Sequence, residues 1–301
     1  MSRTVTVGLD GSPESMAAAE WAAREAGLRG LPLRLVNVWE PVPEPMGQAP
    51  LLGADIEHEW REPAPRRAAE GIRLRHPAVE VIVGQLSGAA AEVLTEETKD
   101  AELLVIGSRG LSGIGGFLVG SVGQSVVAHA TVPVVLVRAE EQAADEHLRD
   151  QAGIPSAATP YRPVVLGLDT DRPNDTLIGF AFDAAARRDT ALRVVHCWKP
   201  PPHFAHGIPE HRELEAELGR WDGAVLAEVL RPWKQKIPAV EVVEEARPGK
   251  AAHHLVDASQ EASLVVVGRR FRRAPFGAHI GPVTHAVLHH ATVPVAVVAH
   301  V

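Results

Sequence analysis

Seven glycines fall between Gly107 and Gly123 in the stretch GSRGLSGIGGFLVGSVG. Each one costs backbone entropy on folding, so this density needs a reason. Backbone without side chains lets amide N–H groups approach phosphate oxygens, and a helix opening at Ser121 would aim its first amides and its dipole at the same anion. A flexible surface loop would share the composition, but the helix start directly after it favours phosphate. Arg109, inside the stretch, would bring positive charge to such a ligand. A second group of chemistry-bearing residues follows the first apolar run of the chain: Asp10, then Ser12 ahead of Pro13. Ser12 is placed to cap a helix. Asp10 reads either as a ligand-facing carboxylate or as a residue that starts the helix in a turn.

Neither standard nucleotide fingerprint fits these residues. The glycine stretch lacks the Lys of Gly-x4-Gly-Lys-Ser/Thr, and the first apolar run continues into GLDGSPES rather than Gly-x-Gly-x-x-Gly. No obvious general base or nucleophile stands beside the glycines, and the SGGxDS-like loop of ATP pyrophosphatases is absent. Fifteen histidines invite a metal reading, with His285 and His289 at helical spacing. No adjacent carboxylate or His-Glu-x-x-His completes that site, which favours exposed or capping histidines, and no metal site is expected. The single cysteine, Cys197, has no partner for an intramolecular disulfide, and with no Cys-x-x-Cys motif the chain reads as cytoplasmic. Acidic residues outnumber basic ones 38 to 30, and only 13 of 301 residues are Phe, Trp or Tyr. That balance disfavours nucleic acid as a partner. No basic region followed by an apolar stretch opens the chain, and no run approaches 18 apolar residues, so neither a signal peptide nor a membrane span is expected.

The elements that must hold these residues occur twice. TVTVGLDGSPES parallels PVVLGLDTDRPN, pairing Asp10 with Asp169, and LRLVNVWEP parallels LRVVHCWKP. VEVIVGQLSGAAAEVL, AELLVIGSRG and HATVPVVLV likewise match VEVVEEARPGKAAHHL, ASLVVVGRRF and HATVPVAVV in the same order. Five matched blocks in one order mean tandem duplication. Between the copies lies a polar stretch ending in Gly, Pro, Ser and Ala, read as an exposed linker over 141–160 with the boundary near Ala152. Domains are therefore expected at 1–140 and 161–301. Through residue 150 there are 13 basic and 22 acidic residues, net −9, against 17 and 16 afterwards, net +1.

In the first copy, short apolar runs at 4–9, 33–39, 79–83, 103–107 and 134–138 alternate with amphipathic stretches. Pro13 starts a helix expected to reach Ala26, Ser87 can cap another, and Pro232 should interrupt the long helix WDGAVLAEVLRPW of the second copy. Near-continuous runs such as LLVIG suit strands covered on both faces, and their alternation with helices predicts parallel βαβ units. The fold class is a doubly wound α/β sheet, present twice. In such sheets ligands bind beyond the carboxyl ends of the strands, where strand order reverses.

With Asp10 and the closing HATVPVVLV, the spacing Gly107-x2-Gly110-x9-Gly120-Ser121 resembles the ATP-binding branch of the universal stress protein family, over both copies. The resemblance implies a Rossmann-like five-stranded parallel sheet of order 3-2-1-4-5 in each copy. It also implies ATP, with Mg²⁺, as the ligand. Its adenosine contacts fall on Asp10 and the backbone near Val38, and its phosphate contacts on Gly107, Gly110, Gly120 and Ser121. Ser12 and Arg109 join them from the residue reading above. Gly123 departs from the pattern, standing where relatives often carry a phosphate-reaching hydroxyl. The second copy departs further, as Gly268-x2-Phe271-x9-Gly281-Pro282. Phe271 would block backbone approach, Pro282 removes an amide donor, and Asp171 adds a carboxylate, so this copy is expected to have lost ATP. Its arginines Arg269, Arg270, Arg272 and Arg273 form either an anion or docking site or a solvated basic loop.

Three classes of function remain: a nucleotide-dependent regulatory or stress-response protein holding one ATP per chain in the first copy, a slow ATP-hydrolysing enzyme, and a nucleotide-free scaffold. A glycine loop retained in one copy favours the first. The two final strands, at 134–138 and 295–299, are apolar sheet edges expected to pair within the chain as a pseudo-dimer. A homodimer of chains is a further expected partnership.

Overall fold

The computed structural model describes residues 3–40, 63–110, 117–118, 120–199, 209–270 and 280–300. These divide into two units, the first ending at Gln142 and the second beginning at Ala143. Among the described residues no helix is long and apolar enough to cross a membrane.

The first unit runs β1 (Thr4–Leu9), α1 (Pro13–Arg29), β2 (Leu33–Trp39), α2 (Pro63–Arg75), β3 (Val81–Ser87), α3 (Ala90–Glu97), β4 (Ala101–Gly110), β5 (Phe117–Leu118), α4 (Ser121–His129) and β6 (Val134–Arg138). Its parallel sheet has the order β3-β2-β1-β4-β6. Central strands are buried on both faces: Leu103, Leu104 and Val105 of β4 have no exposed surface. Each such leucine contributes about 1.5–3 kcal/mol by leaving water. The edge strand β3 is buried only at Val81 and then alternates half-buried and exposed positions, as a partly covered strand does.

α1 shows how local sequence sets the entry to the site. Ser12 caps it, its side chain accepting from the Ser15 amide, Pro13 takes the first turn, and Gly30 ends it in the left-handed region at φ 63°. The helix therefore outlasts the expected end at Ala26. α1 packs beside α2, and α3 beside α4. Right-handed crossovers put these two pairs on opposite faces of the sheet. Strand order reverses between β1 and β4, so the loops leaving them diverge and a crevice opens between. One side chain secures its rim: Asn37 Nδ2 donates to the Leu9 carbonyl at 2.8 Å, just where β1 turns away.

The second unit runs β7 (Val164–Gly167), α5 (Asp175–Arg187), β8 (Leu192–Trp198), α6 (Pro209–Lys236), β9 (Val242–Pro248), α7 (Ala251–Ser259), β10 (Leu264–Arg270), α8 (Pro282–His290) and β11 (Val295–His300). Its parallel order, β9-β8-β7-β10-β11, repeats that of the first. Here His196, at the register of Asn37, has Nδ1 3.1 Å from the Leu168 carbonyl, making the same tie. Each unit is thus the doubly wound five-stranded sheet that the alternation of runs predicts.

Several local expectations are corrected. Ser87 does not cap a helix: it is the last residue of β3, paired with Trp39. Gly88 then turns the chain at φ 138°, and α3 starts from Ala89 without a side-chain cap. β3 lies later than 79–83, and β4 extends beyond 103–107 at both ends. Pro232 does not interrupt its helix, since α6 continues to Lys236. The ring removes one amide on an exposed face, while Trp233 anchors the next turn, stacked 5.9 Å from Phe182. The polar stretch between the repeats is more than extended chain. Glu146 and His147 are buried, Glu146 lies 3.9 Å from Arg188, and the His147 ring sits 4.0 Å from that of Tyr161.

Candidate functional site

Beyond the carboxyl ends of β1, β2 and β4 lies a cavity of about 320 Å³, within the range of about 300–1,000 Å³ that holds small-molecule ligands. Six of the expected site residues line it: Asp10, Ser12, Val38, Gly107, Gly120 and Ser121. Arg109 and Gly110 are described as backbone alone, closing β4 in antiparallel pairing with Leu118 and Phe117. The tip of the glycine stretch, 111–116, lies outside the described residues, as do Phe271, Arg272 and Arg273.

One side of the cavity is apolar. Val36 and Val38 of β2, Leu94 of α3 and Ile106 of β4 form a slot of aliphatic carbon suited to a flat ring. Motif reading missed Val36, Leu94 and Ile106; the available signal was Gly8, since a glycine inside a strand marks a close approach. A Cβ on Gly8 would meet Leu94 Cδ1 at 3.1 Å.

The opposite side is polar and is built from two helix N-termini. At α1 the polar groups are engaged with one another. Asp10 Oδ1 accepts from the Ser12 amide at 3.0 Å and from Ser12 Oγ at 2.5 Å, and Ser12 Oγ in turn accepts from the Ser15 amide at 3.2 Å. Desolvation pushes the Asp10 carboxyl up, but the Ser12 and Ser15 hydrogen bonds outweigh it and hold the group below its ordinary value of 3.8. Asp10 is thus an ionised turn-former that also faces the cavity. At α4 the situation is reversed. Its N-cap is Gly120, which has no side chain to cap with, and the first ladder bond runs from the Gln124 amide to the Gly120 carbonyl at 2.9 Å. The amides of Ser121, Val122 and Gly123 precede that bond and find no acceptor among the described residues. All three residues line the cavity, so α4 points an uncapped positive end into it.

The two spaced glycines serve different ends. A Cβ on Gly107 would fall 2.5 Å from the Glu14 carbonyl carbon and 2.7 Å from the Ser15 nitrogen, so Gly107 is required by the backbone of α1. A Cβ on Gly120 would meet nothing within 4 Å, and its φ of −63° suits any residue. No packing within the described residues calls for glycine there.

At the mouth of the second unit the carboxylate after the first strand is paired within the chain. Arg270 Nη2 donates to Asp169 Oδ2 at 2.8 Å, while Asp169 Oδ1 accepts from the Asp171 amide at 3.2 Å. Pro282 opens α8 and contributes no amide hydrogen. Thr284, at the register of Gly123, donates its hydroxyl to the Gly268 carbonyl at 2.8 Å. Arg269 is buried, with desolvation lowering its guanidinium below the ordinary value, so the two described arginines do not act as one exposed cluster. The rings of His285 and His289 lie 4.3 Å apart, and no group of three metal-ligating side chains occurs among the described residues.

Comparison with known proteins agrees with this duplicated geometry. The model of the Universal stress protein family matches residues 1–138 and again 160–299. A universal stress protein of Mycolicibacterium smegmatis is 32% identical over 305 residues, covering 98% of this chain and 96% of the relative. One from Mycobacterium tuberculosis is 32% identical over 314 residues, covering 97% and 96%. Among solved structures, a universal stress protein from Archaeoglobus fulgidus superposes with a TM-score of 0.66 at 16% identity, covering 98% of each chain. One described as a putative universal stress protein, from Pseudomonas aeruginosa, gives 0.58 at 15%, covering 99% of this chain and 92% of the other. With both repeats matched and relatives of this identity aligned from end to end, the chain belongs to the universal stress protein family.

Proposed function

We propose that this chain is a nucleotide-dependent regulatory protein of the stress response, holding one ATP, with Mg²⁺, in its first unit. The observation that carries the proposal is the pairing, in one cavity, of an aliphatic slot with the uncapped N-terminus of α4. A nucleotide has the complementary polarity: a flat ring at one end and anionic oxygens at the other. Three first-turn amides without acceptors are the donors such oxygens need, and an open Gly120 lets them approach. Mg²⁺ needs no protein cage here, because it commonly keeps several waters and binds through phosphates. In the second unit Pro282 removes a first-turn amide, which supports one nucleotide per chain rather than two.

Slow or absent hydrolysis follows from the same geometry. Amides and a helix dipole bind the ground state of a triphosphate, and acceleration needs groups that favour the transition state. Asp10, one of two acidic residues lining the cavity with Glu14, is held ionised by Ser12 and is a weak base. Titration calorimetry with ATP and Mg²⁺ tests the reading, with a single site per chain expected. Two equivalent sites, or none, would overturn it. Phosphate release should stay far below the roughly 1–1,000 per second usual for enzymes. Multiple turnovers per second, lost in Arg109→Ala, would move the protein into the hydrolase class.

A further inference from the structure

α6 carries a stripe of residues that the other described residues leave uncovered. Its inner face holds Leu226 and Leu230, both fully buried, with Trp233 against Phe182. On the opposite face Leu214, Glu217, Arg220, Trp221, Ala224, Glu228 and Arg231 are all exposed, at the three- and four-residue spacing that keeps them on one side of a helix. Trp221 is 65% exposed and Leu214 44%. A tryptophan left in water on a regular helix is an unsatisfied apolar surface, unlike scattered aliphatic exposure.

The charges around Trp221 say what covers it. An antiparallel copy of the same helix, related by a two-fold axis through Ala224, would place Glu217 opposite Arg231 of the partner subunit and Arg220 opposite Glu228 of the partner subunit. Both pairs are of opposite sign and both share the midpoint Ala224. A parallel copy would oppose like charges instead. Ala224, the smallest residue of the stripe, stands where two helix axes must come closest, with Trp221 flanking it on each chain. A self-complementary patch about a two-fold axis is the requirement of an isologous dimer. Arg231 and Glu228 lie 3.0 Å apart within the helix while both remain about two-thirds exposed, a pair weak enough in water to exchange partners.

We infer that the exposed face of α6 is a homodimer interface, in which two chains pair this helix antiparallel about Ala224. The stripe from Leu214 to Arg231 spans about 26 Å of helix, so the interface is at the small end of specific contacts.

Sedimentation equilibrium on the full chain, from about 1 to 200 µM, tests this directly. A concentration-dependent dimer is expected, weakened at least tenfold by Trp221→Glu with unchanged circular dichroism. Glu217→Arg and Arg231→Glu should each weaken it, and together restore it. In a Cys197→Ser background, Ala224→Cys should give a disulfide-linked dimer under mild oxidation. A chain that stays monomeric throughout, or a dimer indifferent to Trp221→Glu and to the charge swap, would overturn the inference. These readouts need no nucleotide, so they succeed or fail separately from the ATP site.

Discussion

Gly120→Val separates what the fold needs from what a ligand needs. The position tolerates a side chain by itself: φ is −63°, ψ is 168°, and a built Cβ meets no heavy atom within 4 Å. Loss of a glycine N-cap costs up to about 1 kcal/mol, and the reduced freedom of the unfolded chain returns about 0.4–1 kcal/mol. The melting temperature should therefore move by no more than about 3 °C. Binding is another matter, because the three added carbons enter the cavity beside the amides of Ser121, Val122 and Gly123. Hydrogen bonds to a charged group are worth about 1.5–3 kcal/mol each. Displacing a phosphate from one or two of these amides should cost about 3 kcal/mol, more than a hundredfold in Kd. Calorimetric titration of ATP into wild type, Gly120→Ala and Gly120→Val should show graded weakening. A folded Gly120→Val variant that binds ATP as tightly as wild type would refute the assignment of the phosphates to the start of α4.

Other perturbations separate the remaining parts of the argument. Gly107→Ala should lose about 3 kcal/mol of stability, read from the urea midpoint, because its methyl would fall 2.5 Å from backbone of Glu14; unchanged unfolding would show that α1 can shift away. The Cys197 thiol is pushed up to about 11, by burial first, with Arg247 opposing and Glu245 adding. Alkylation at pH 8 should be about a hundredfold slower than in urea, and saturating ATP should leave the rate unchanged if the second unit holds no nucleotide. Burial pushes the Glu20 carboxyl up, but bonds from Arg75 and His76 outweigh it and hold the group below its ordinary 4.5. A lowered folded value means the stabilisation is complete above about pH 4.5 and is lost as pH falls through the folded value. Glu20→Gln, at a partly exposed pair, should cost about 0.5–1 kcal/mol at pH 7 and flatten the acid limb of the stability curve.

What could be read from sequence was what local pattern encodes. β1, β2 and β6 are β-branched runs between strong turn signals, and their ends match the structure. The Ser12–Pro13 start of α1 is equally local. Ser87 misled because a capping residue and a strand residue look alike until the ladder partner, Trp39, is known. The spacing of Gly107 and Gly120 was legible, but their separate causes were not. Gly107 answers to Glu14, 93 residues earlier, a contact that no window of sequence contains. The pairing of Asp169 with Arg270, across 101 residues, is hidden for the same reason.

The duplication preserved the sheet-level frame of the site and changed its mouth. In both units a glycine of the first strand faces a leucine of the third helix, as Gly8 does Leu94 and Gly167 does Leu255. In both, a side chain of the second strand ties to a carbonyl where the first strand ends, Asn37 to Leu9 and His196 to Leu168. These contacts set the spacing of buried strands, where a change of one methylene is felt throughout the packing. The mouth is less uniformly packed, with Asp171 and Pro282 exposed and Thr284 buried. There Ser12 gives way to Asp171, Ser121 to Pro282 and Gly123 to Thr284, whose hydroxyl braces the start of α8 to β10. Each change acts on a separate requirement: Asp171 adds a carboxylate beside Asp169, Pro282 removes an amide, and Thr284 ties helix to strand. Reversing any one leaves the other two in place. The asymmetry between the units is therefore held by several independent contacts and does not hinge on a single residue.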